Sequence, residues 1–223
     1  MENFLRIGNI IVLVLILALF IIALDHFDYL PWNKDTEAVG FVASNNDADG
    51  DGVDDYTDIL NGARKFVSLE PSYKDAYYNG GYPDDDNYVS TDIIWYALRE
   101  AGYDFKEMLD EDMANNISDY GIDEIDPNIE FRKINNIKVF LDKYAEEKSL
   151  DATDASEWQG GDIVIFDGHI AIVSDKLGDD GINYIIHHDG SGNYEEDALM
   201  QRKIIGHYRF NLDMTSFDEN NEK

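Results

Sequence analysis

Residues 10–24 are fifteen apolar residues without a break, and no other stretch restricts the fold of this chain so strongly. Extending back to Ile7 admits only Gly8 and Asn9, giving about 18 residues and roughly 27 Å of helix, just enough to span a bilayer. A cleaved signal peptide is the competing reading. It wants small residues in an A-x-A-like arrangement, which Ile21-Ile22-Ala23-Leu24 lacks. An uncleaved transmembrane anchor over residues 1–24 is therefore expected. Arg6 and the N-terminal amine precede the span, whereas Asp25 and Asp28 follow it. Positive charge stays on the cytoplasmic side, so the rest of a single-pass membrane protein is expected to be extracytoplasmic.

The roughly 200 residues that follow can hold one domain with a real core. Hydrophobic residues make up 44% of the chain and aromatic residues 13%, so a formal charge of -30 does not imply disorder. That charge excludes an electrostatic grip on phosphate, making nucleic acid and anionic lipid poor partners and cations good ones. The chain has no cysteine. Disulfides, a thiol nucleophile and a Cys-ligated zinc site are all excluded.

Residues 25–45 read as a linker, and 46–67 as an Asp-rich loop with a helix leading out of it from Asp55. Residues 68–89 read as loop, crowded with Tyr, Gly, Pro and Asp. Residues 90–101 predict a helix with Ile93, Ile94, Ala97 and Leu98 on one face and Gly102 as its stop. A short helix is expected over 105–115, irregular chain over 116–133, and an amphipathic helix marked by Ile134, Ile137, Leu141 and Tyr144. The character then changes. Residues 162–166 and 169–174 are apolar, β-branched runs separated by Asp167-Gly168, a strong hairpin signal. Residues 183–188 and 203–210 read as further strands, and 212–223 as a flexible tail. Helices followed by an antiparallel sheet is the α+β pattern.

The loop Asp47-Ala48-Asp49-Gly50-Asp51-Gly52-Val53-Asp54-Asp55-Tyr56-Thr57-Asp58 fits the EF-hand ligand frame. Asp47, Asp49 and Asp51 take positions 1, 3 and 5, with Gly52 at the sharp turn. Val53 would offer its carbonyl, and Asp55 and Asp58 take positions 9 and 12. Calcium needs such hard oxygens at adjustable distance. Aspartate at position 12 departs from the usual glutamate and resembles dockerin-type and other extracellular calcium loops. A solvated acidic linker would explain the charge but not the spacing. Ca2+ is therefore the expected cofactor, ordering the loop and docking the helix after it.

A second constellation combines Ser90 at a helix N-terminus, His169 opening the second strand of the hairpin, and His187 ending the next strand. Around it lie Tyr78-Asn79-Gly80-Gly81-Tyr82-Pro83, Val89-Ser90-Thr91-Asp92-Ile93, Asp126-Pro127-Asn128-Ile129 and Trp158-Gln159-Gly160-Gly161-Asp162-Ile163-Val164. Gly168-His169-Ile170-Ala171-Ile172-Val173-Ser174-Asp175, Glu195-Glu196-Asp197 and Gly206-His207-Tyr208-Arg209 continue the series. The order resembles circularly permuted papain-like hydrolases, the NlpC-type peptidases and CHAP amidases. The segments resemble more closely one bacterial family, domain of unknown function family 1287, over about residues 55–211. The resemblance implies a papain-like NlpC-type α+β fold over 68–211. It also implies a cysteine nucleophile, a histidine base, a second polar residue that orients the base, and an amide or peptide bond of the cell envelope as substrate.

At the nucleophile position this chain carries Ser90. A thiol beside an imidazolium rests as thiolate, whereas a serine hydroxyl attacks only if His169 removes its proton in the transition state. Three readings of Ser90 stand: nucleophile of a Ser-His-His hydrolase, part of a catalytically inactive module that binds an envelope peptide or peptidoglycan-like ligand, or plain helix N-cap. Neighbouring strand residues face opposite ways, so only one of His187 and His188 can face Ser90, and the following Gly190-Ser191-Gly192 aligns His187 with the family's position. His207 reads as structural, and Asp92 as a first-turn carboxylate favoured by the helix dipole. Tyr73, Tyr77, Tyr78, Tyr82 and Tyr88 either line a substrate groove or pack their loop.

Overall fold

Helical spacing gives way to apolar, β-branched runs near residue 160, and the fold follows that division. The computed structural model describes residues 41–212 and Phe217 of the unit Ala38–Lys223. The anchor expected over 1–24, most of the linker over 25–45 and most of the tail over 212–223 lie outside the described residues. Among the described residues no helix is long and apolar enough to cross a membrane.

Helix α1 (Asp55–Ser68) buries Tyr56, Ile59, Leu60, Ala63 and Phe66, spaced three or four apart on one face. Its Gly62 admits the next helix closely: a Cβ there would lie 2.9 Å from the Cα of Ala97. Strands β1 (Ser72–Tyr73) and β2 (Asn87–Tyr88) form a short parallel ladder inside the stretch expected to be loop. Helix α2 (Asp92–Glu100) buries every residue from Asp92 to Leu98 and is the centre of the helical layer. Helix α3 (Phe105–Asn115) is capped by Asp104, whose carboxylate accepts from Glu107 N–H at 3.0 Å. A short helix α4 (Ile117–Tyr120) and a 3-10 turn (Glu130–Arg132) order the expected irregular stretch before α5 (Ile134–Tyr144).

The remaining chain builds one antiparallel six-stranded sheet in the order β3-β8-β4-β5-β6-β7. Its strands are β3 (Glu146–Glu147), β4 (Ile163–Phe166), β5 (His169–Leu177), β6 (Asn183–Asp189), β7 (Gly192–Glu196) and β8 (Ile204–Arg209). Phe166 pairs with His169 across the Asp167-Gly168 turn, where Gly168 takes φ 79°, as the hairpin signal predicts. Both sheet faces are covered. Ile163, Ile165, Ile170, Ile172, Ile186 and Tyr208 pack on the helices, whereas Val164, Phe166, Ala171, Val173 and Ile185 pack on Trp158 and Leu199. Double burial explains why these strands read as unbroken apolar runs. Strand β7, Gly-Asn-Tyr-Glu-Glu, is polar and only half buried, so apolar periodicity does not reveal it.

The sheet is anchored by a buried ionic cluster. Asp162 accepts from Arg209 Nε at 2.7 Å, Arg209 Nη2 at 2.8 Å, and the Gln159 N–H at 3.0 Å. His207 Nε2 lies 3.0 Å from the same carboxylate, and the His207 ring stacks on Trp158 at 3.5 Å between centroids. The structural role expected of His207 is observed.

Candidate functional site

Ser90 does not start the helix. Helix α2 begins at Asp92 with Thr91 as N-cap, so the plain N-cap reading of Ser90 falls. The Asp92 carboxylate accepts the Val89 N–H at 2.7 Å, while the Asp92 N–H donates to the Val89 carbonyl at 3.0 Å. Ser90 is thereby held inside a tight turn that leads into the helix. Asp92 is more than a dipole partner: its oxygens also take Arg132 Nε and Nη2, both at 2.7 Å, and Trp95 Nε1 at 2.8 Å.

Ser90 lines a cleft of about 790 Å³ together with Tyr73, Arg132, Ile134, Phe166, Asp167 and Gly168. The cleft therefore reaches the β4–β5 turn, immediately before His169. The tyrosines of the loop fall into two groups. Tyr73 lines the cleft. Tyr82 packs on Trp95 and Phe131, and Tyr88 packs on Phe66.

The two predicted histidines are brought together. His169 Nε2 lies 2.8 Å from His187 Nδ1, and His187 Nε2 lies 3.0 Å from Glu196 Oε1. With both rings neutral, this chain of partners sets the tautomers. The Glu196 carboxylate only accepts, so His187 donates from Nε2 and keeps a lone pair on Nδ1. His169 then donates from Nε2, and its Nδ1 carries the remaining lone pair. Burial, reinforced by the neighbouring His187 and Arg202, pushes the His169 pKa down to about 4, so the ring is neutral at pH 7. A neutral imidazole with a free lone pair can remove a proton.

Alternation puts His169 and His187 on the sheet face of Phe166, Ala171 and Ile185, with the Phe166 ring stacked on His169 at 6.1 Å. His188, and not His187 as expected, faces the helical layer that carries Ser90: it packs against Phe66 and Tyr73, whereas His187 points to the opposite sheet face. Among the described residues no hydrogen bond joins Ser90 to either His169 or His187. Sequence reasoning missed Glu196. It lies in a quoted motif, but its link to His187 needs the β6–β7 register, in which His187 opposes Tyr194 and Glu196 follows two residues on, along the same face.

In the acidic loop, ligand oxygens of Asp47, Asp49 and Asp51 lie within 4.8 Å of one another. Asp47 organises the turn by accepting the Gly50 N–H at 2.8 Å, the Asp51 N–H at 3.1 Å and the Gly52 N–H at 3.0 Å. Gly50 and Gly52 take φ 75° and 95°, the left-handed region that favours glycine. Burial first, then the Asp51 and Asp49 charges, push the Asp58 pKa up to about 6. Asp47, Asp49 and Asp51 are grouped closely enough to hold a cation among the described residues, and Asp58 is not part of the group. Asp55 sits apart. Its carboxylate is fully buried, accepts the Ala48 N–H at 2.9 Å and takes a short hydrogen bond from Tyr103 Oη.

A family model described as Domain of unknown function (DUF1287) matches residues 60–210. The Escherichia coli (strain K12) protein described as "Uncharacterized protein YijF" is 31% identical over 165 residues, which cover 68% of this chain and 80% of the relative. No solved structure matches the chain.

Proposed function

The chain belongs to the DUF1287 family, and from that premise we propose an extracytoplasmic hydrolase of amide or peptide bonds in the cell envelope. In this reading the fold is the papain-like NlpC type and residues 1–24 tether it to the membrane. Ser90 is the nucleophile, His169 the general base and His187 the residue that orients it, with Glu196 fixing the tautomer of His187. The observation supporting this reading is the Glu196–His187–His169 chain, which leaves an unprotonated Nδ1 on a neutral ring one residue past the Asp167-Gly168 turn, and that turn lines the same cleft as Ser90. Proton removal by that nitrogen would raise Ser90 to an attacking alkoxide only as the bond forms, and the same proton would then pass to the leaving amine. The ligand class is an envelope peptide or peptidoglycan-like chain, and nucleic acid is not a partner.

Calcium belongs to the proposal as a structural cofactor. Asp47, Asp49 and Asp51 would hold it, with Asp58 and the Val53 carbonyl completing the ligand frame. The ion would neutralise a loop whose carboxylates repel one another.

A catalytically inactive envelope-binding module is the second reading, favoured by the lack of a Ser90–His169 hydrogen bond among the described residues. Cleavage of peptidoglycan and acyl-peptides by the full-length protein in detergent separates the two. Activity lost in Ser90→Ala supports the hydrolase. An inert native protein with activity only in Ser90→Cys sinks it and leaves the binding module.

A further inference from the structure

The peptide unit joining Tyr88 to Val89, immediately before Ser90, is gripped at both of its polar ends. The Tyr88 carbonyl accepts the Lys74 N–H at 3.0 Å, from the β1 side, and His188 Nε2 at 3.3 Å, from strand β6. The Val89 N–H donates to Asp92 Oδ2 at 2.7 Å. Asp92 is immobilised in turn, because Arg132 closes on it through two bonds, with both side chains buried. Arg132 Nη1 donates to the Ala76 carbonyl at 2.9 Å and its guanidinium lies over the Tyr78 ring, so the tyrosine-rich loop is tied to the same centre.

A carboxylate with four donors, buried with its arginine, is expensive to desolvate, and an apolar pair of similar volume would often be as stable. Its geometric result is specific. The planar fork of Arg132 sets the carboxylate plane, the carboxylate sets the Val89 N–H, and the next residue is Ser90. His188 adds the strand side. It adjoins His187 in β6 and points to the opposite face, so one strand holds the histidine relay with one residue and the segment of Ser90 with the next. Its Nδ1 is buried without a partner among the described residues, which leaves the bond to Tyr88 as the ring's one polar contact there.

We propose that Asp92, Arg132 and His188 are positioning residues that hold Ser90 in register with the histidine relay by clamping the Tyr88–Val89 peptide. The proposal rests on Ser90 being the reacting residue, and its test is chosen to be separable from that reading.

The chain has no cysteine, so Ser90→Cys creates a single thiol in the full-length protein. The pH dependence of its alkylation by iodoacetamide reports its pKa without any substrate. In Ser90→Cys alone the midpoint is expected below the ordinary value of about 8.5. Adding His188→Phe keeps an aromatic ring against Phe66 but removes the donor to Tyr88, and should move the midpoint back toward about 8.5. Once the midpoint lies above pH 7, each further unit of that movement lowers the thiolate fraction at pH 7 by up to about tenfold. Replacing the buried pair together, Asp92→Asn with Arg132→Met, should do the same, and Arg132→Lys, which keeps the charge but not the planar fork, should move the midpoint part of the way. Should the pair replacement unfold the protein, as a thermal melt would show, His188→Phe decides alone. A midpoint unmoved by every folded clamp variant overturns the proposal. His169→Ala in the same background tests the other reading: an unchanged midpoint there removes His169 as the base, while the clamp variants are still scored against their parent.

Discussion

Acidification should loosen this fold through His169. The perturbation is protonation of a ring whose Nε2 is 2.8 Å from His187 and whose burial pushes its pKa down to about 4. An ordinary histidine titrates near 6.5, so between those values the unfolded chain binds a proton that the folded chain refuses. Stability from this group is therefore full at pH 7 and is lost as the pH falls through 6.5 toward 4. The shift is about 2.5 units, or roughly 3 kcal/mol in the limit, of which about 2 kcal/mol is gone by pH 5. The assay is urea denaturation of the full-length protein at pH 7 and pH 5, beside His169→Gln, whose amide can still donate toward His187. Carboxylates held low in the folded state, such as Glu195 beside Arg64, also lose stability in acid, so the difference between native and variant isolates the histidine. Native protein should lose about 2 kcal/mol more than the variant across that interval. An NMR titration of the His169 ring with a midpoint at or above 6.5 would refute the reasoning.

Two further outcomes follow from the structure. Calcium at 10 mM should stabilise the fold by about 1.4–2.7 kcal/mol if the site has the affinity usual for extracellular loops, and Asp47→Asn should remove most of that gain; calorimetry without heat at millimolar calcium would exclude the ion. Gly161→Ala should cost about 3 kcal/mol or more, because Gly161 takes φ 90° and its Cβ would lie 2.4 Å from the Tyr56 carbonyl oxygen; a variant melting with the native protein would contradict that placement.

Much of this architecture was legible before any coordinates, for reasons particular to its elements. The Asp167-Gly168 hairpin was plain because a two-residue turn needs φ above zero and Gly168 supplies it. Helix α5 was plain because Ile134, Ile137, Leu141 and Tyr144 recur at helical spacing. The start of α2 was misplaced by two residues, since Ser90 looks like a cap and only the Val89–Asp92 bond shows that the chain turns first. Strand β7 escaped because its stabilisation comes from pairing with β6 rather than from apolar side chains. Asp55 fitted the calcium frame by spacing, yet burial and Tyr103 commit its carboxylate elsewhere.

By itself the sequence determined the α+β division, the hairpin that carries His169, and the acidic frame of Asp47, Asp49 and Asp51. These are local facts, written in periodicity, turn chemistry and the two-residue repeat of a strand. Only the tertiary structure decided that Glu196 stands behind His187, that Arg132 closes on Asp92, and that His188 reaches the Tyr88 carbonyl 100 residues away. Each of these joins groups distant along the chain or set by sheet register, and their distance depends on how the layers pack rather than on any spacing in the sequence.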